Sequence, residues 1–160
     1  MAYLQKDFVI KFVKTHPKAV LPVAAHEVGD AGFDLRAVES VLLQPGTATA
    51  VSTGLQLADC ELEDRECNQY FLEVRSRSGL AKRLVFPVTG TVDVIYRGEI
   101  FVLLANLGRE PYQIEPGDRI AQLVLQVIFA NSSSRAVKFM EVSEVVPTDR
   151  GAGGFGSTGR

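Results

Sequence analysis

Residues 119–129 read RIAQLVLQVIF. In an extended chain this run is apolar on both faces, so it is expected to be a strand buried between sheets or between subunits. EIFVLLAN at 99–106 has the same character. Working outward, YFLEVR at 70–75 alternates, with Tyr70, Leu72 and Val74 on one face. Shorter strands are expected at FVIKFV (8–13), VESVLLQ (38–44), TATAVST (47–53), LVFPV (84–88) and VDVIY (92–96). Turn signals separate them: Pro45-Gly46, Gly108 to Pro111, and Pro116-Gly117-Asp118. Many short strands between Gly/Pro turns predict an all-β sandwich, barrel or jelly roll. The spacing predicts one short helix over SGLAKRL (78–84), with Ser78 as its N-cap. The acidic stretch ADCELEDREC (58–67) reads as a helical turn or a solvated loop.

Composition narrows the function classes. The chain has 160 residues, enough for about one domain. Lys plus Arg total 17 and Asp plus Glu 19, a net charge of −2 that argues against non-specific nucleic-acid binding or a polybasic membrane anchor. No apolar run approaches the ~18 residues of a membrane helix, and the N-terminus has no signal-peptide h-region. Cys60 and Cys67 are too few for a disulfide framework, so an intracellular setting, cytoplasmic or nuclear, is expected. His16 and His26 lie in no metal-ligand spacing and read as surface or turn histidines.

Five stretches carry polar groups where a strand would not need them. DAGFDLRA (30–37) sets Asp34 among apolar residues, either as a turn carboxylate or as a functional one. RSRSGLAKR (75–83) places Arg77, Ser78 and Gly79 at a helix start, a combination suited to phosphate or to an exposed capped turn. TGTVDVIYRGE (89–99) sets Asp93 in an apolar strand, read as inward and therefore paired or used, with Tyr96 three residues on. PGDRIAQLVL (116–125) holds Gln122, a phosphate contact or a core amide bonded to backbone. RGAGGFGSTGR (150–160) is glycine-rich, with Arg150, Phe155, Ser157 and Thr158. It reads as a mobile tail able to wrap an anion with successive N–H groups, or as a simple terminus.

In order, these stretches resemble the five motifs of the trimeric dUTPases (deoxyuridine triphosphate nucleotidohydrolases). The matching segments are AGFDL (31–35), SRSGLA (76–81), GTVDVIYRG (90–98), GDRIAQL (117–123) and RGAGGFGSTG (150–159). Departures are Ser76 for a proline, Val94 and Ile95 where the family carries polar character and a second aspartate, and Pro87 in the loop ahead of motif three.

The resemblance implies a jelly-roll subunit, a distorted β-barrel over residues 1–149, and a tail over 150–160 that closes on the active site. It implies a homotrimer whose three sites are shared between subunits. It implies hydrolysis of dUTP to dUMP and pyrophosphate by water attack on the α-phosphorus, which limits uracil incorporation into DNA and supplies dUMP. Mg²⁺ is implied as cofactor, held mainly by the substrate phosphates, with Asp34 near it through water. By the same likeness Asp93 holds and activates the water. Tyr96 packs on the deoxyribose and excludes a 2′-hydroxyl. The hairpin Val88, Thr89, Gly90, Thr91 and Val92 reads the uracil edge. Arg77, Ser78, Gly79 and Gln122 contact phosphates, and Arg150, Phe155, Gly156, Ser157 and Thr158 close over the nucleotide. A dCTP deaminase of the same fold is a rival, but no acidic residue lies between Leu84 and Val92 to serve its base pocket. A non-enzymatic signalling or scaffold module derived from this family is a second rival.

Overall fold

Period-two alternation sends one side of each long strand into a core shared by two sheets. The computed structural model describes residues 9–26, 29–61, 69–88, 90–128, 131–132 and 135–136. One four-stranded sheet runs in the order β1 (Val9–Lys14), β4 (Ala48–Glu61), β8 (Glu99–Asn106), β6 (Val85–Pro87). The other runs β2 (Phe33–Arg36), β10 (Arg119–Ile128), β5 (Gln69–Arg75), β7 (Gly90–Asp93). Two small pairs, β3 (Val41–Leu43) with β9 (Tyr112–Ile114) and β11 (Asn131–Ser132) with β12 (Arg135–Ala136), complete the described strands. All the pairings are antiparallel. This is the expected all-β, jelly-roll class of fold. Among the described residues no helix is long and apolar enough to cross a membrane.

The core is aliphatic. Leu35, Leu57, Leu72, Ile100, Val102, Leu104 and Ile120 are almost wholly buried, each worth about 1.5–3 kcal/mol of transfer free energy. Outward residues of β8 do not share this burial: Phe101 and Leu103 are exposed. So EIFVLLAN is apolar on both faces, as expected, but only one face is covered within the subunit.

Several boundaries differ from the sequence reading. β4 continues past residue 53 through a register shift between Ser52 and Gln56 and absorbs residues 58–61 of the acidic stretch. The shift needs Gly54, whose φ is +63° and whose Cβ would meet His16 Cβ at 2.7 Å and Val38 Cγ1 at 3.1 Å. Residues 62–68 lie outside the described residues. The helix α1 is shorter than expected, Ser78–Ala81, and its cap is Arg77 rather than Ser78, with no side-chain cap bond. It stops because Leu84 takes φ +58°. Pro87 is not in the uracil-side loop but ends β6, an edge strand whose free side tolerates a residue without N–H. Strand β7 ends at Asp93, not at residue 96: Tyr96 N–H donates to the Asp93 carbonyl at 2.8 Å and turns the chain.

Asn106 ties the end of β3 to the loop between β8 and β9 from a buried position. Its amide donates to the carbonyls of Leu43 (3.0 Å) and Glu110 (2.8 Å), and its Oδ1 accepts from Gly108 N–H at 2.9 Å. Asn106→Ala strands these partners, so urea denaturation is expected to show a loss on the order of 2–4 kcal/mol. An unchanged midpoint would mean that water replaces the amide.

Candidate functional site

A cavity of about 320 Å³ opens where β2, β10 and the end of β5 meet α1, lined by Asp34, Arg75, Arg77, Ser78 and Gln122 among others. The register brings these residues together. Gln122 of β10 stands opposite Asp34 on one side and Arg75 on the other. Motifs far apart in sequence thus share one wall.

Asp34 anchors that wall. It lies on β2, not in a turn, and its side chain is 12% exposed. Arg77 Nε pairs with Oδ1 at 2.7 Å, and Arg119 Nη1 with Oδ2 at 3.3 Å. Arg77 also donates to the Arg119 carbonyl at 3.3 Å. A guanidinium carries five donors, so these pairings orient both arginines and leave N–H groups for an anion. Ser78 and Gly79 are exposed beside them, and no hydrogen bond among the described residues engages the Ser78 hydroxyl. Because Ser78 does not cap the helix, its hydroxyl can serve a ligand. At the rim, Asp30 accepts His26 N–H at 2.8 Å, and that backbone bond with the His26 ring holds its carboxyl below the usual aspartate range.

Of the two roles that the sequence left open for Gln122, the backbone-bonded amide is seen directly, and the side chain also faces the cavity. Its Nε2 donates to the Ser76 carbonyl at 2.9 Å, as a backbone-bonded amide would. Its Oε1 lies directly over Gly32, and it faces the cavity. A Cβ at residue 32 would collide with that amide oxygen and come within 3.0 Å of Cδ.

Asp93 and Tyr96 occupy a different place. Asp93 is exposed, contrary to the inward position expected, because Val92 takes the core side of β7. Asp93 pairs with Phe71, four residues along β5 from Arg75, which pairs with Gln122. That is about 13 Å along the strand, with β7 and β10 on opposite sides of β5. One subunit therefore does not bring Asp93 to its own cavity. Tyr96 is 45% exposed; its hydroxyl donates to the Glu99 carbonyl at 3.1 Å and its ring covers Gly98, where any Cβ would strike it. Gly90 and Thr91 lie on β7, the outer edge of the second sheet, unpaired on one side among the described residues, whereas Val88 is exposed and donates its N–H to the Leu103 carbonyl of β8 in the first sheet. Thr89 lies outside the described residues, as do Arg150, Phe155, Gly156, Ser157 and Thr158.

Among the described residues no group of three or more His, Cys, Asp or Glu could hold a metal ion. Asp34 already spends both oxygens on arginines. Arginines with one carboxylate do not make a protein-built divalent site, but they suit a cation that arrives with phosphate ligands of its own.

The sequence reading passed over Arg119, Arg75, Gly32 and Glu99. All four sit inside stretches already singled out, so register, rather than motif, was the missing signal. Gly32→Ala should push the Gln122 amide off the cavity wall. Titration with inorganic pyrophosphate is expected to show at least ~10-fold weaker binding, the scale of one lost charge-assisted contact. Unchanged affinity would remove Gln122 from the anion site.

The dUTPase family model matches residues 20–159. A Solibacter usitatus protein named deoxyuridine 5'-triphosphate nucleotidohydrolase is 45% identical, over 94% of this chain and 96% of its own length. A Wolinella succinogenes protein of the same name is 47% identical over 97% of both. Among solved structures, the Staphylococcus bacteriophage 80alpha dUTPase with dUPNHPP superposes with a TM-score of 0.72 at 26% identity, covering 95% of this chain and 99% of that one. The dUTPase of phage phi11 of S. aureus, described with a structural Mg(II) ion, shares the fold at 21% identity and a TM-score of 0.63, over 86% of this chain and 96% of that one. With a fold of two facing β-sheets, an arginine-lined cavity and these likenesses along nearly its whole length, the chain belongs to the dUTPase family.

Proposed function

We propose that this dUTPase family member hydrolyses dUTP to dUMP and pyrophosphate in sites shared between subunits, with Asp93 of one subunit serving the phosphate cavity of another. The activity follows from family membership and from relatives named for it. The family match does not favour a dCTP deaminase-like activity or a signalling module. The sharing rests on one observation: Asp93 and the cavity stand four residues apart on β5, on opposite flanks. A second copy can bring them together, and the exposed Phe101 and Leu103 offer apolar surface for assembly, with a homotrimer as the proposed state.

Each residue has a task that its chemistry suits. Arg77, Ser78, Gly79 and Gln122 hold the phosphates, with Asp34 fixing Arg77 and Arg119. Asp93 accepts a hydrogen bond from the attacking water and orients it on the α-phosphorus. Mg²⁺, carried on the triphosphate, would neutralise phosphate charge, with Asp34 the carboxylate nearest its waters in the cavity. The edge strand β7 offers backbone N–H and C=O groups to uracil, with Val88, Thr89, Gly90, Thr91 and Val92 as the reading hairpin. Tyr96 covers the deoxyribose and leaves no room for a 2′-hydroxyl. Arg150 reaches the phosphates, Phe155 stacks on uracil, and Gly156, Ser157 and Thr158 close the tail and exclude water.

Two measurements test this. Asp93→Asn keeps the shape and removes the charge, so kcat for dUTP should fall ~10²–10⁴-fold with nucleotide affinity kept. Retained kcat would refute the role. A Ser78→Ala/Gln122→Ala double variant should also be nearly inactive. Refolded together with Asp93→Asn subunits, it should recover about a quarter of wild-type activity, the chance that a site draws both intact halves from different subunits. No recovery would overturn the shared site.

A further inference from the structure

We propose that Glu99 is a positioning residue for sugar selection: its carboxylate staples the Tyr96 turn to the bulge of β4. This rests on the role given to Tyr96 above.

Three donors from two elements converge on this half-buried carboxylate. Oε1 accepts from the Ser52 hydroxyl and from Gly54 N–H at 3.2 Å; Oε2 accepts from Thr15 Oγ1 at 3.2 Å. Ser52 and Gly54 lie in the register shift of β4, where the ladder to β8 is interrupted between Ser52 and Gln56. The Glu99 side chain therefore replaces missing ladder bonds at the first residue of β8. Its backbone carbonyl is the acceptor for Tyr96 Oη, at 3.1 Å. The carboxylate fixes β4, the carbonyl of the same residue fixes the ring, and Gly98 lies flat beneath that ring.

Within the turn, Arg97 Nη1 donates to the carbonyls of Val94 (2.6 Å) and Tyr96 (3.0 Å). Gln56 of β4 adds a second tie, donating to the Arg97 carbonyl, but it does not touch the ring. Ile95 provides no anchor, being 81% exposed. Glu99 thus links the ring to the bulge. A ring that excludes one hydroxyl must be held to within a fraction of an ångström, because an ångström of misplacement can cost ~10²-fold.

Glu99→Ala should raise kcat/KM for UTP relative to dUTP by at least ~10-fold. Glu99→Gln is isosteric: its Oε1 can keep Ser52 and Gly54, and its Nε2 can donate to the Thr15 hydroxyl. It should stay within about twofold of wild type, a rescue that separates geometry from charge. The 19F resonance of 3-fluorotyrosine at Tyr96, assigned by its loss in Tyr96→Phe, should move in Glu99→Ala and not in Glu99→Gln. An unchanged UTP-to-dUTP ratio with only a lower Tm would overturn the proposal, as would equal loss in both variants. If Glu99→Ala does not fold, Ser52→Ala decides, since it removes one donor: a raised ratio supports the staple and an unchanged one refutes it. A wild-type protein unable to hydrolyse dUTP would defeat the functional reading instead, and the 19F shift would still report on the staple.

Discussion

The pairing of β5 is the constraint on which the rest of the molecule depends. This strand lies between β10 and β7, with Gln122 opposite Arg75 at one end and Asp93 opposite Phe71 toward the other. Because side chains alternate with period two, a slip of one residue would turn Leu72 and Val74 out of the core and Glu73 into it. Burial of Leu72 and Val74 therefore sets the register, and the register sets the distance between the phosphate cavity and the Asp93 turn. The two-part site proposed above would be a consequence of how this sheet is packed.

Within the cavity, charge is organised before any ligand arrives. Asp34 is the hub for Arg77 and Arg119, so two flexible side chains give up little further freedom when they meet an anion. Gly32 extends the same logic to Gln122, since only a residue without a side chain lets that amide lie flat between motif one and the Ser76 carbonyl. At the other end of the sheet, Gly98 does the same for Tyr96. Two glycines thus define the two functional surfaces through what they leave out.

The sequence was most informative where one physical signal dominates. Alternation over YFLEVR marked β5, the run EIFVLLAN, apolar on both faces, marked β8, and the order of the five motifs named the family. It was less informative where two signals compete. Around residue 54 the glycine reads as a strand end, yet the strand continues through a bulge because Gly54 fits against His16, Ala19 and Val38. Ser78 reads as a cap by composition, but the backbone of Arg77 takes that position and leaves the hydroxyl without a partner among the described residues. Asp93 reads as inward from its apolar neighbours. The true phase of the alternation is that of Val92, which a four-residue strand is too short to reveal.

By itself, then, the chain determined its class and chemistry: residue types and their period are local properties, and the motif residues carry the groups that phosphate recognition needs. The tertiary structure alone decided who meets whom. Asp34 with Arg77 and Arg119, Gln122 over Gly32, and Glu99 with Ser52 are contacts across 43 residues or more of chain in every case, 34 to 77, 34 to 119, 32 to 122 and 52 to 99. No periodicity encodes them. They follow from strand order and register, which the burial of one aliphatic core imposes on every strand at once.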